Sequence, residues 1–557
     1  MNNQSLSLPE HAQHEQDILD SDGPDNHTST HPPLDNGASG KKVSLFWHNR
    51  LVEAGLIASM ALYYVIGNQN IGMDPLSRVN PLLSLPFLVM FAILCWYRLP
   101  FALALLPLSL PYYLLQKTVL RTATNHTVSF SLAEITLGVC VLVALVQLLM
   151  QRGKWSYWLS WRELRDRVGP FLIPILVFFI VAAFSIVIAY NKVFALRAFR
   201  EEVLDPLVYV FLALRCLRYL GDIRRLLVAL LASGLIVAIL GVIQFHFFKN
   251  TLVLESDGIK RVHVMYGSAN SIGMLFDYIL PISLALVVAR AASNDRPSWW
   301  RRLLAIGLCL PFLYVLYLTQ SIGAWIAITV AALFIGACSL RNRRVLLISI
   351  SSFVAVLGVA FFFFHTRILN LIFTNHLDKN HVSTVTKRIY LWQTALNMIH
   401  DRPWFGFGMD NWLCYYSTNK TCPTSGWHYL INVDPVTHIS TDLKFEPDLS
   451  HPHNVLLHIW VSMGIFGVLA FIAIMVLFFW LFVRVLRYLR ANKKNWTLQW
   501  MTLGVGTAML AAMVQGLGDS AFLEQDLAFC FWILIVALLV LRKLSGTPWR
   551  GKIIAKS

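Results

Sequence analysis

The 557-residue chain is 57% hydrophobic and 13% aromatic, with a net charge of +16 and a mean hydropathy of +0.59. A soluble protein buries such a composition only with difficulty, whereas lipid is a solvent for it, so the chain reads as an all-α polytopic membrane protein. Its basic residues fall in short stretches between apolar spans, where they set topology. They form no single basic face, which argues against nucleic acid as a partner.

Residues 1–42 are polar, rich in Asp, His, Asn and Pro, and end in Lys41-Lys42, as a disordered cytoplasmic tail would. Apolar spans occur next at 51–66, 82–97, 100–116, 131–150, 170–190, 203–220, 226–247, 270–289, 303–319, 322–340, 345–364, 455–483, 497–517 and 526–541. No signal peptide precedes the first, so Leu51 to Ile66 reads as an uncleaved signal anchor. The uncharged runs Pro170–Tyr190 and Val455–Val483 each suffice to cross a hydrocarbon core about 30 Å thick. The pattern predicts about 12–14 transmembrane helices and a large extracytoplasmic loop containing helices. It divides the chain into a tail (1–42), an N-terminal bundle (43–364), a loop domain (365–454), a C-terminal bundle (455–545) and a second cytoplasmic tail (546–557).

Placing the N-terminus inside makes every dense basic stretch cytoplasmic: Arg152–Arg167, Arg218–Arg225, Arg290–Arg302, Arg341–Arg344, Arg484–Lys494 and the residues from Arg542 onward. Three larger connections then face outward. The first carries Arg197, Arg200, Glu201 and Glu202, and the second carries Lys260, Arg261, His263 and Tyr266. The third, His365 to Asn454, is electrically neutral and unusually long for a connection without function or fold of its own. Within it, Ile389, Trp392, Leu396 and Ile399 recur at helical spacing and predict an amphipathic helix over 385–399. That helix either lies along the outer membrane surface or packs as a scaffold on the bundle. Asp401-Arg402-Pro403 ends it, and Gly406 and Gly408 form a turn.

Most cysteines sit in apolar spans as small hydrophobes. Cys414 and Cys422 lie outside and form a candidate disulfide in an oxidising compartment. Their spacing is a poor match to structural zinc, and the acidic and histidine residues between Asp434 and His451 fit no compact ligand motif, so no metal is expected.

Arg261 and Arg388 stand close to the predicted outer boundary, where guanidinium forks can grip phosphate in a bidentate way. Arg197, Arg200, Arg367 and Lys387 are further candidates for the same anion. The competing reading is that such residues merely snorkel to headgroups. His453 opens the span that begins at Val455, where an imidazole can take a proton from an attacking hydroxyl. His451 offers the same chemistry or a cation for phosphate, and a cap on the following helix is the structural alternative for His453. Asp277 lies within a span, and Asp519 follows Gln515-Gly516-Leu517-Gly518 where it can line an acceptor pocket. Gly464 and Gly467 predict close helix approach.

The chain resembles the O-antigen ligase and polymerase superfamily, bacterial membrane glycosyltransferases that use glycans on undecaprenyl diphosphate. The resemblance runs from Arg261 and Tyr266–Asn270 through Thr319-Gln320-Ser321, Arg388–Trp392, Asp401–Gly408 and His453-Asn454 to Asp519. The ligases carry a histidine followed by Asn, Ser or Gln, nine residues, then Gly-x-x-Gly and Thr or Val, a spacing that His453-Asn454, Gly464, Gly467 and Val468 reproduce. Ser321-Ile322 departs from a frequent Ser-Arg of the family, and the span count exceeds the usual dozen.

The resemblance implies His453 as the catalytic histidine and Arg261 and Arg388 as candidates for the diphosphate-binding arginines; Asn454 and Asp519 are further candidates for the substrate site. It also implies an inner-membrane enzyme with a periplasmic site and no cofactor. The donor would be an undecaprenyl-diphosphate-linked glycan and the acceptor lipid A-core or another glycan, with membrane lipids around both. A ligase, a polymerase, a protein O-oligosaccharyltransferase and, with less support, a transporter all remain compatible.

Overall fold

The computed structural model describes residues 36–67, 81–112, 117–121, 127–150, 160–254, 260–266, 268–292, 299–339, 384–416, 432–433, 440–441, 451–492, 496–520 and 522–550. The chain divides into residues 1–52 and 53–557. Of the first unit only the start of a helix is described; the helix bundle and its site belong to the second.

In chain order the helices are α1 (Asn36–Gly67), α2 (Pro81–Tyr97), α3 (Leu99–Leu105), α4 (Leu132–Met150), α5 (Trp161–Val168), α6 (Leu172–Ile188), α7 (Lys192–Ala198), α8 (Asp205–Cys216), α9 (Leu220–Phe247) and α10 (Ala269–Ala292). They continue with α11 (Trp299–Thr319), α12 (Ile322–Ser339), α13 (Thr384–Asp401), α14 (Trp412–Tyr416), α15 (Val455–Ala491), α16 (Trp496–Gly516) and α17 (Gln525–Ser545). Three antiparallel two-stranded hairpins join them: β1 (Lys117–Arg121) with β2 (Thr127–Phe130), β3 (Val253–Leu254) with β4 (Lys260–Arg261), and β5 (Asn432–Val433) with β6 (Ser440–Thr441).

Eight helices among the described residues are long and apolar enough to cross a membrane, and three shorter apolar helices accompany them. The chain is therefore a multi-pass, all-α membrane protein. The span expected at 345–364 lies outside the described residues. The span expected at 100–116 is α3 continued by a 3-10 turn, Leu106–Tyr112, which contains Pro107 and Pro111. Proline lacks the N–H that an α-helical ladder needs, so the tighter turn takes over. The span expected at 203–220 opens on a π turn, Phe199–Leu204, and closes at Cys216.

α17 is the axis of the bundle. Every residue from Gln525 to Arg542 is buried, as expected of a helix that is apolar on all sides. It packs on α8, α15 and α16, while α16 also packs on α10 and α12, and α15 on α6. At 1.5 Å per residue its 21 residues span about 30 Å, one hydrocarbon thickness. Its C-terminal end is held by cations: Arg542 donates to the carbonyls of Asp166 (3.1 Å) and Thr547 (3.3 Å) and lies 4.0 Å over the Trp549 ring. Nearby, Arg167 pairs with Glu163 at 2.8 Å and Arg215 donates to the Ser160 carbonyl at 3.1 Å. The loop from Leu517 to Glu524, which leads into its N-terminal end, belongs to the candidate site.

α13 matches the predicted helix in extent but not in its buried face. Leu391, Thr394, Ala395, Met398 and Ile399 are buried, whereas Ile389 and Leu396 are exposed. The helix carries two apolar stripes. The one facing the protein joins a core with Phe407, Trp412, Cys414, Tyr415 and Val461, because it is the stripe that meets α15.

Beyond α13, the Pro403–Gly408 strand of backbone is laid directly on α15. Phe407 N–H donates to the Val461 carbonyl (2.7 Å), Gly408 N–H to Ser462 (3.0 Å), and Ile465 N–H to Pro403 (2.9 Å). These bonds are possible because α15 breaks at Gly464, whose φ is +69°. A Cβ there would stand 2.1 Å from the Trp404 carbonyl oxygen, so only glycine fits. Gly464 thus receives a loop rather than the neighbouring helix its motif suggested. A Cβ on Gly467 would meet chiefly Met463 of its own helix.

Candidate active site

Four side chains converge at the mouth of α15. His453 Nδ1 lies 2.6 Å from Asp519 Oδ1, and His451 Nε2 lies 3.5 Å from the same oxygen. Arg388 Nη2 stands 3.7 Å from Asp519 Oδ2. The Ser520 N–H also donates to Asp519 Oδ1, at 2.9 Å. Asp519 is nearly fully buried, and His453 retains partial exposure.

Each member is placed by local structure. Asn454 caps α15 by accepting from the N–H groups of Leu456 and Leu457, and its amide donates to the Leu517 carbonyl at 2.9 Å, tying α15 to the loop that carries Asp519. Asn454, expected to touch substrate, is therefore engaged in positioning on both sides of its amide. His453 adopts φ of +50°, which is costly for a non-glycine residue and persists because its surroundings hold it. Its carbonyl accepts from Trp392 Nε1 of α13 at 3.4 Å. The other non-glycine residues with positive φ among those described are Val264, Gln320 and Asp410, in the segments just beyond Arg261, Thr319 and Gly408.

His451 packs edge-on against His453 (centroids 4.7 Å apart) and stacks on His458 (5.4 Å), whose Nδ1 is 2.6 Å from Ser520 Oγ. Burial lowers His451 below its ordinary range, against the opposing pull of Asp519, so its imidazole is neutral at neutral pH. Burial works against ionisation of Asp519 too. There His453 and the hydrogen bonds from both histidines prevail and hold the carboxyl well below the usual carboxylate range. With Asp519 accepting, His453 Nδ1 is the donor of their hydrogen bond, and in the neutral ring Nε2 is then the acceptor nitrogen.

Arg261 lies on β4, in the connection between α9 and α10. Its Nε donates to the Thr319 carbonyl (2.6 Å) and its Nη2 to Asn270 Oδ1 (2.8 Å). Further along the same segment, Tyr266 Oη bonds Asp526 at 3.1 Å, which links it to the start of α17, just beyond the loop containing Asp519. Arg197 pairs with Glu201 at 3.1 Å, and Arg200 with Glu134 (2.9 Å) and Glu201 (2.8 Å). Both are thus committed to carboxylates in this structure. Arg367 and the side chain of Lys387 lie outside the described residues. Cys414 is disulfide-bonded, and Cys422, its expected partner, lies outside the described residues.

A cavity of about 170 Å³ opens behind His451, lined by Arg197, Glu201, Glu202, Asp410, His458, Glu524 and Gln525 among others. Neither His458, Ser520 nor this cavity is predicted from sequence. One signal was present: His458 stands four residues after Asn454, the spacing that returns a helix to the same face.

Among the described residues, His451, His453 and Asp519 are also the group whose ligand atoms approach one another closely enough, within 4.8 Å, to hold a metal ion. In this structure those atoms are directed at one another: Asp519 Oδ1 takes the hydrogen bond of His453 Nδ1.

Residues 306–472 match a family model described as O-antigen ligase. The matched segment runs from α11 through the first half of α15 and includes Arg388, His451, His453 and Asn454 but neither Arg261 nor Asp519. Fold and site define a polytopic membrane protein with a histidine–aspartate cluster at one end of its helices, and its segment 306–472 is similar to the O-antigen ligase family. No curated protein matches the chain.

Proposed function

We propose that this protein is a bacterial inner-membrane glycosyltransferase that moves a glycan from undecaprenyl diphosphate to an acceptor hydroxyl, with lipid A-core as the acceptor. The observation that carries the proposal is the 2.6 Å contact between His453 and a buried Asp519, with Arg388 beside them. Both termini lie in the cytoplasm and the site faces the periplasm, a reading supported by the cation-rich end of α17 and the histidine-rich end opposite.

His453 Nε2 accepts the proton of the acceptor hydroxyl as its oxygen forms a bond to the sugar C1. The C1–O bond to phosphate breaks on the opposite face, and its electron pair leaves on the diphosphate. Arg388 and Arg261 neutralise the charge that grows there, while Asp519 stabilises the imidazolium. A diphosphate is already an activated leaving group, so the scheme needs no nucleotide and no metal. One in-line displacement inverts the anomeric centre; retained configuration in the product linkage would refute that step.

Reconstitution of the purified protein with a lipid-linked glycan tests the assignment. With lipid A-core present, a ligase yields a product attached to that lipid. Lengthened lipid-linked glycan would instead identify a polymerase, and glycosylated protein an O-oligosaccharyltransferase.

A further inference from the structure

We propose that the cavity behind His451 is an acceptor subsite, built for one sugar ring that carries hydroxyl or amino groups and no phosphate or carboxylate. The inference rests on the proposed glycosyl transfer and specifies the chemistry of its second substrate.

Position is the first argument. His451 forms part of the cavity wall and also contacts Asp519 and His453, so a ring in the cavity lies one imidazole away from the proposed base. Size is the second. A cavity of about 150 Å³ in another protein admits benzene, and this one, at about 170 Å³, has room for a six-membered ring.

The lining supplies the third argument. Gln525 is 2% exposed, and neither its amide oxygen nor its nitrogen has a hydrogen-bond partner among the described residues. A buried amide left in that state is satisfied by something polar entering from the cavity. Around it stand Glu202, Asp410 and Glu524, which accept from hydroxyl or ammonium donors, beside the Arg197–Glu201 ion pair.

Cation binding fits less well. Among the described residues, no group of these carboxylates brings its oxygens as close together as the cluster at His453 does. They are spread around the wall, as the hydroxyls of a ring are spread around its edge. The acidic surplus repels phosphate. It therefore sorts the two substrates, the diphosphate donor toward Arg388 and the uncharged acceptor ring into the cavity.

Kinetics of the full-length protein in detergent test this. Gln525→Ala and Glu202→Gln are each expected to raise the KM for acceptor about tenfold while the donor KM stays within about twofold. Donor KM rising instead, or neither changing, overturns the subsite. A measurement on the wild type is independent of variant folding: glucose and glucosamine should compete with acceptor and not donor, with glucose 6-phosphate at least about tenfold weaker. Equal inhibition by the phosphate, or none by any of the three (a cavity holding water only), also overturns it. If the wild type transfers no glycan to any acceptor, the proposed function itself fails, which is a different result from normal transfer with unmoved KM values.

Discussion

At its C-terminal end α17 carries Arg542, bound to the Asp166 carbonyl and lying over Trp549; the loop entering its N-terminal end carries Asp519, which meets His451 and His453. Both ends bury charge. At the first, cations are held by backbone carbonyls, Glu163 and the Trp549 ring, contacts that lock helices together. At the second, Asp519 is shared among two imidazoles and a guanidinium, an arrangement that sets proton positions rather than merely filling space. Buried charge in a membrane protein can thus anchor or react, and the difference lies in whether its partners are fixed dipoles or groups that titrate.

The largest expected effect separates the ends directly. His453→Ala should leave the protein in the membrane and reduce transfer by about 10²–10⁴-fold, the usual contribution of a general base. Wild-type product formation by that variant in a purified assay would remove His453 from the mechanism. Arg388→Ala should lower donor kcat/KM by about 10–100-fold, in line with losing one charge-assisted contact worth about 1.5–3 kcal/mol. Unchanged donor dependence would end its phosphate role. At the other end, Arg542→Ala should lower thermal stability by about 1–3 kcal/mol through its lost carbonyl bonds. Donor and acceptor KM should stay put, and a shift in either would blur the distinction between the ends.

Much of the reactive end was legible in the order of residues. A histidine followed by asparagine at the mouth of a long apolar run marks a helix start and an imidazole together. The pairing of His453 with Asp519 was not legible, because 66 residues and two helices separate them and no periodicity connects such positions. α13 illustrates a different limit. Its two apolar stripes are equally visible in the sequence, and only the position of α15 decides which is covered. Gly464 was recognised as a close-approach position, yet its partner, the Trp404 carbonyl, belongs to a loop whose path no local pattern gives. The cavity draws on α7, the π turn, the Gly408–Asp410 segment and α17, so its walls come together only in the fold.

The smallest expected effect concerns pH. Burial keeps the pKa of His451 below its ordinary 6.5, so the unfolded chain takes up a proton that the folded one refuses. Stability should be steady above about pH 6.5, fall as the pH drops below it, and level off once the folded pKa is passed. Thermal unfolding at several pH values checks this, with His451→Gln expected to flatten the slope.

The central claim is that Asp519 holds His453 in the tautomer that accepts the acceptor's proton. Single-turnover transfer by purified Asp519→Asn, with donor binding measured in parallel, addresses it most directly. The account predicts transfer lowered by about 10²–10⁴-fold with donor still bound, as expected when a base loses its orienting carboxylate; transfer at the wild-type rate would contradict it.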